Sequence, residues 1–138
     1  MQPNYVAILI ASVLDFIIGA IWYMPLFGNL WGKIHGFDKQ PKAKKEEMMK
    51  DMGPYLGVQF VGTLITTFVL ALFIANQPDW NAYAMAGFFW LGFVVPTQVS
   101  AVIFGGTEGK WMVKKIAIMA GGSLVCLEAA AAVIHLMQ

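Results

Sequence analysis

Apolar residues along this chain come in four long runs, near residues 5–27, 54–75, 81–104 and 116–137, and most polar residues gather between them. Each run holds about 22–24 residues. As a helix rising 1.5 Å per residue it is roughly 33–36 Å long, enough to cross a hydrocarbon core of ~30 Å with some tilt. None alternates with the period of two that a membrane β-strand shows, and each is about twice such a strand's length. In lipid the backbone must satisfy its own hydrogen bonds, which leaves helices. The predicted fold is an all-α membrane protein: four transmembrane helices in an antiparallel bundle, one domain over residues 1–138.

Local signals mark the ends of the runs. Pro3-Asn4 opens the first, and Pro25 with Gly28 closes it. Gly53-Pro54 opens the second, since proline is tolerated in a first helical turn. Asn76-Gln77-Pro78-Asp79 is a short turn that makes the second and third helices neighbours, and Gly105-Gly106-Thr107-Glu108-Gly109 precedes the fourth. Trp22, Tyr23, Trp31, Trp80, Tyr83 and Trp111 fall near predicted ends, as an interfacial aromatic belt requires. Pro96 lies inside the third run and should kink it, the freed carbonyl being satisfied by neighbours or by Thr97 and Ser100. The first run is expected to be retained as a span, because Met1-Gln2-Pro3-Asn4 lacks the positive charge of a signal peptide. Between the first two runs, loop 28–53 contains the soluble-looking stretch Lys39–Met52. Met48, Met49 and Met52 sit within one turn among lysines and acids, which predicts a short amphipathic helix on the cytoplasmic membrane surface. Three methionines without a cysteine or histidine partner make a poor copper site.

Charge sets the orientation. All nine basic residues are lysines. Lys33, Lys39, Lys42, Lys44, Lys45 and Lys50 occupy the first connection, and Lys110, Lys114 and Lys115 the last. Four spans place those two loops on one side, and both termini with the middle loop on the other, which has no basic residue. The positive-inside rule then predicts an inner-membrane protein with cytoplasmic lysine loops and both termini outside. A composition of 59% hydrophobic and 12% charged residues with net charge +1 leaves no separate basic domain for nucleic acid. The single cysteine, Cys126, lies in the last run and is read as inert packing.

Inside hydrocarbon the polar side chains are the informative ones. An ionisable group at the middle of a span costs ~2.5–3.5 kcal/mol on insertion scales. Two occur: Asp15 lies about 15 Å below the outer end of helix one, and Glu128 about 14 Å below that of helix four. They are expected at similar depth on antiparallel helices, where a shared site would bind a proton or cation. Positions near Asp15 on its face are Ala11, Ser12, Gly19 and Trp22; those near Glu128 are Gly121, Ala131, Ala132 and His135. Small residues of this kind permit close helix packing. Gln59, Gly62, Thr63 and Thr66 form a comparable stripe on helix two, and Gln98 with Thr97 lies near the same level on helix three. The candidate intramembrane site is therefore Asp15, Glu128, Ser12, His135, Gln59 and Gln98. Alternatively, each carboxyl only hydrogen-bonds across helices, to Ser12, Thr66 or a carbonyl. His35 and His135 fall on opposite sides and cannot share a metal within one chain, and His135 is too far along the helix from Glu128 for joint ligation. A homo-oligomer is expected, packed through the faces bearing Ala82, Ala86 and Ala129 to Ala132.

No nucleophile, zinc, redox or phosphate-loop motif is present, so an enzyme is the less favoured reading and no cofactor or metal is expected. The string Trp22-Tyr23-Met24-Pro25-Leu26-Phe27-Gly28-Asn29-Leu30-Trp31, with Trp90-Leu91-Gly92-Phe93 in the third run, resembles the bacterial membrane family catalogued as domain of unknown function 1761. The resemblance covers nearly the whole chain and implies a small integral membrane protein, with no activity or catalytic residue to carry over. The four-helix size and the acid in helix one also resemble small multidrug exporters, but their sequence pattern is absent. The lysine bias opposes the dual insertion that some of those show. Two functions remain: a small transporter or channel-like protein using the intramembrane carboxylates for an unknown ion or small molecule, or a structural accessory protein whose polar groups only lock the bundle.

Overall fold

The computed structural model describes residues 2–138 and is helical almost throughout. Helix α1 (Tyr5–Ile21) starts at Asn4, whose Oδ1 accepts from the N–H groups of Val6 (3.0 Å) and Ala7 (3.1 Å). That satisfies two of the donors that a helix start leaves open. The chain does not stop at Pro25. It passes through a π-helical turn, Trp22–Leu26, closed by the Phe27 N–H on the Trp22 carbonyl at 3.0 Å. Proline lacks an N–H and crowds the preceding turn, and a widened turn accommodates both. A short helix α2 (Gly28–Ile34) follows, then a bend at Gly36, where φ is +69°.

Helix α3 (Lys42–Asn76) is continuous over 35 residues, roughly 52 Å long. The third span is built in two pieces. Helix α4 (Ala82–Phe89) is capped by Asn81, and a second π-helical turn (Trp90–Val94) leads into α5 (Val95–Phe104). This turn closes like the first, with the Val95 N–H on the Trp90 carbonyl. The disturbance expected from Pro96 therefore falls just before it, and the Thr97 hydroxyl donates to the Phe93 carbonyl at 2.6 Å. Helix α6 (Met112–Leu136) completes the chain. The segments Tyr5–Leu26, Lys42–Asn76, Ala82–Phe104 and Gly109–Leu136 are each long and apolar enough to cross a membrane.

Packing is organised around α6, which touches α1, α3, α4 and α5. It runs antiparallel to α1: the Asn4 Nδ2 donates to the Met137 carbonyl (2.8 Å) at one end, and the Trp22 Nε1 to the Ile118 carbonyl (2.8 Å) towards the other. The core is made of small side chains, Ala11, Ala71, Ala82, Ala86, Ala130 and Ala131, interleaved with Ile8, Leu70, Ile74 and Ile134. Between helices in lipid, contact rather than water exclusion provides the attraction, and alanine allows that contact to be close. Residues of the two lysine-bearing loops line one pocket, while the middle loop and His135 with Gln138 line another, so the two sets of connections gather at different ends of the molecule.

Two expectations change. The stretch up to Met52 is not a separate surface helix; it is the first three turns of α3, running straight through Gly53-Pro54 into the span. A proline removes one hydrogen bond without obliging a helix to end, and the lysine- and glutamate-rich turns before it are good helix formers. The short helix between the first two spans is instead α2. Of the alanine faces assigned to a second copy, Ala82, Ala86, Ala130 and Ala131 are buried within the chain, while Ala129 and Ala132 are half-buried.

Candidate functional site

Among the described residues, Asp15 is the one carboxylate buried in the helix packing, at 8% exposure. The register of α1 against α6 puts it there. Ile8, Ala11, Ser12 and Asp15 recur every three or four residues, form one stripe and are all buried. Across the seam, Cys126 directs its thiol to the backbone carbonyl of Asp15, with Sγ 3.7 Å from the oxygen. One carboxylate oxygen is unanswered: Asp15 Oδ1 is buried with no hydrogen-bond partner. The hydroxyls proposed to hold it are committed elsewhere. Ser12 Oγ donates to the Ile8 carbonyl at 2.7 Å, and Thr66 Oγ1 to the Gly62 carbonyl at 3.1 Å, each on its own helix. One turn beyond Asp15, a Cβ added at Gly19 would meet no atom within 4 Å.

Trp22 closes this seam on the far side of Gly19. Its indole lies across Gly121 and Gly122 of α6, so closely that a Cβ at Gly122 would stand 2.9 Å from the ring. Trp90 does a parallel thing from the third span, donating its Nε1 to the Ala120 carbonyl at 2.7 Å. Each tryptophan opens a π-helical turn, and each reaches a carbonyl of the same stretch of α6. Gln98 adds a third tie, its Nε2 3.2 Å from Ser123 Oγ and 3.4 Å from the Met119 carbonyl. The first and third spans thus hold one short segment of α6 by three polar side chains.

The remaining expected site residues do not join Asp15. Glu128 is two residues past Cys126, hence at nearly the depth of Asp15, but about 200° around the helix from Cys126. Its Oε1 lies 3.8 Å from where a Cβ of Gly87 on α4 would be, and no hydrogen bond links it to Asp15. Similar depth did not produce a shared pair, because the helical angle, not the depth, decides the face. His135 is exposed at the α6 terminus, its ring 6.2 Å from that of Tyr83. Gln59 points outward from α3, as do Gly62 and Thr66. Ser12 alone shares the buried stripe with Asp15. Among the described residues, no group of three or more His, Cys, Asp and Glu side chains is placed to hold a metal ion.

Sequence reasoning missed Trp22, Trp90, Ser123 and the Gly121-Gly122 pair as partners. The signal was the shared pattern of a tryptophan shortly before a proline in the first and third spans, which differs in spacing (Trp22 to Pro25, Trp90 to Pro96) and so does not register as a repeat.

The chain is all-helical, with four helices long and apolar enough to cross a membrane and a buried carboxylate between the first and the last, an architecture compatible with a multi-pass membrane protein. The chain belongs to the family described as protein of unknown function (DUF1761), whose model matches residues 6–135. Comparison with curated proteins and with solved structures returns no match.

Proposed function

We propose that this protein is a small multi-pass transporter of the inner membrane, with both termini outside, in which the Asp15 carboxyl takes up and releases a proton or small cation. The single observation that carries the reading is the buried, unpartnered Asp15 Oδ1. A carboxyl kept for packing alone is expected to find a donor, because an unanswered polar group in an apolar interior is costly. Cross-helix bonds in this chain are made by other side chains, among them Asn4, Trp22, Trp90, Gln98 and Ser123. The single carboxylate replaces the pair as the working site, and Glu128 stands apart on the α4 side. A homo-oligomer fits the same reading, with the outward stripe of Gln59, Gly62 and Thr66 as the face left for a second copy.

The test is flux through the full chain in liposomes, followed with an enclosed pH-sensitive dye under an imposed potential, with and without sodium or potassium. Asp15→Asn keeps the shape and removes the charge. It is expected to reduce flux to that of empty vesicles, while Glu128→Gln retains most of it. Wild-type flux equal to that of empty vesicles, or undiminished flux in folded Asp15→Asn, would sink the proposal. In that event the accessory reading, supported by the polar ties on α6, takes its place.

A further inference from the structure

The lysines separate into two loops in the sequence, and the fold brings members of both around one pocket of about 480 Å³. Lys33 and Lys39 come from the connection between the first two spans, Thr107 and Lys110 from the one before α6, and Lys115 from the first turn of α6. Asp38 and Glu108 share the lining, and Glu108 pairs with Lys110 at 3.3 Å. Four ammonium groups against two carboxylates leave the pocket with an excess of positive charge.

Two of those cations are held by aromatic faces. Lys115 Nζ stands 5.8 Å over the Trp31 ring and Lys110 Nζ 5.5 Å over that of Trp111. Such contacts restrain a flexible ammonium without neutralising it. At the rim, Gly105 and Gly106 turn the chain, Gly106 with φ of +74°. The next residue supplies a donor: Thr107 Oγ1 is buried and has no hydrogen-bond partner. A hydroxyl in that position is complete only with an acceptor, and ammonium groups cannot accept. A buried donor among surplus cations calls for an oxyanion with several acceptor atoms.

We propose that this pocket binds a phosphate group, with Thr107 donating to one oxygen and Lys33 of α2 and Lys115 of α6 neutralising its charge. Lysine recognises phosphate as a point charge, and basic clusters at the end of a membrane helix attract anionic headgroups. The chemistry is shared by a phospholipid headgroup and a soluble phosphate ester. The proposal is independent of transport at Asp15, which lies in a different part of the molecule.

Calorimetric titration of the full chain in a neutral detergent, with two probes, decides it. One probe is glycerol 3-phosphate and the other is short-chain phosphatidylglycerol. The variants are Lys33→Gln with Lys115→Gln, and Thr107→Val. The control is Lys42→Gln with Lys44→Gln, which removes the same charge outside the pocket. Saturable binding weakened at least about tenfold by the pocket pair, severalfold by Thr107→Val and less than about twofold by the control pair is expected. Binding of both probes identifies a soluble phosphate ester as a ligand, and binding of the lipid alone identifies a headgroup. If the pocket pair unfolds, Lys39→Gln with Lys110→Gln is used in its place, with the same expectation. Equal losses in pocket and control pairs would reduce the effect to diffuse charge and overturn the proposal, as would the absence of saturable binding for both probes.

Discussion

Gly122→Ala tests whether the Trp22 seat holds the first and last spans together. The added methyl would stand 2.9 Å from both Cδ1 and Nε1 of the indole. Ordinary carbon contacts are near 3.5–4.0 Å, so the ring must retreat by roughly 0.5–1 Å. It is not free to do so, being bonded to the Ile118 carbonyl at 2.8 Å and packed on the Phe27 ring with centroids 4.8 Å apart. Overpacking costs about 1–3 kcal/mol, and losing the indole bond about 0.5–1.5 kcal/mol more. Alanine returns up to ~1 kcal/mol of helix propensity. The net expectation is a destabilisation of about 1–3 kcal/mol. Gly62→Ala is the reference, since a Cβ there meets nothing within 4 Å. Unfolding in mixed micelles, followed by helical circular dichroism as denaturing detergent is raised, measures both. In a Trp22→Phe background the shorter ring leaves room, so Gly122→Ala should become nearly neutral and the two changes should couple by about 1 kcal/mol or more. A Gly122→Ala protein within about 0.5 kcal/mol of Gly62→Ala, or additive with Trp22→Phe, would refute the argument.

Three further outcomes follow from the same structure. Gln98→Leu and Ser123→Ala each remove the bond between α5 and α6, and a double-mutant cycle by the same unfolding assay should give a coupling of about 0.5–1.5 kcal/mol, near the range measured between membrane helices. Asn4→Ala loses both the α1 cap and the tie to Met137, so its thermal midpoint should fall by an amount equivalent to about 1–2 kcal/mol, while Asn81→Ala, another cap by two N–H bonds, should cost about 0.5–1 kcal/mol. Cysteines placed at Gln2, Asp79 and Gln138 in a Cys126→Ser background should react with an impermeant reagent from outside intact cells, and one at Lys42 should not; a reversed pattern would invert the orientation read from the lysines.

The spans were legible because hydrophobic length is a property of consecutive residues. The run read as 81–104 is the segment Ala82–Phe104, and the one read as 5–27 is Tyr5–Leu26. Asp15 was legible too, since an acid amid apolar residues stands out on any scale. Its partners were not. Trp22 near a predicted helix end is equally consistent with an interfacial anchor, and only the packed register shows it lying over Gly121 and Gly122. Gln59 shows the opposite failure. A polar stripe on α3 looks inward by analogy with α1, yet it faces out, because the α3 surface that packs is the one with Thr67, Leu70, Ala71 and Ile74. The start of α3 was misplaced for a local reason: Gly53-Pro54 is the usual mark of a boundary, and here the helix runs through it.

The central position of α6 has a consequence for how the protein is made. It leaves the ribosome after the other three, and it is the one to which the first and third spans are tied by side-chain bonds. Until it is inserted, the first two spans have mainly each other, and the third has only slight contact with the second. During that interval the Asp15 face, the two indole N–H groups and the Gln98 amide all lack their helix. The nascent chain must therefore wait in the membrane with its most polar side chains unshielded, a state that invites an insertase or a quality-control protease. Closure of the structure therefore waits on the arrival of α6.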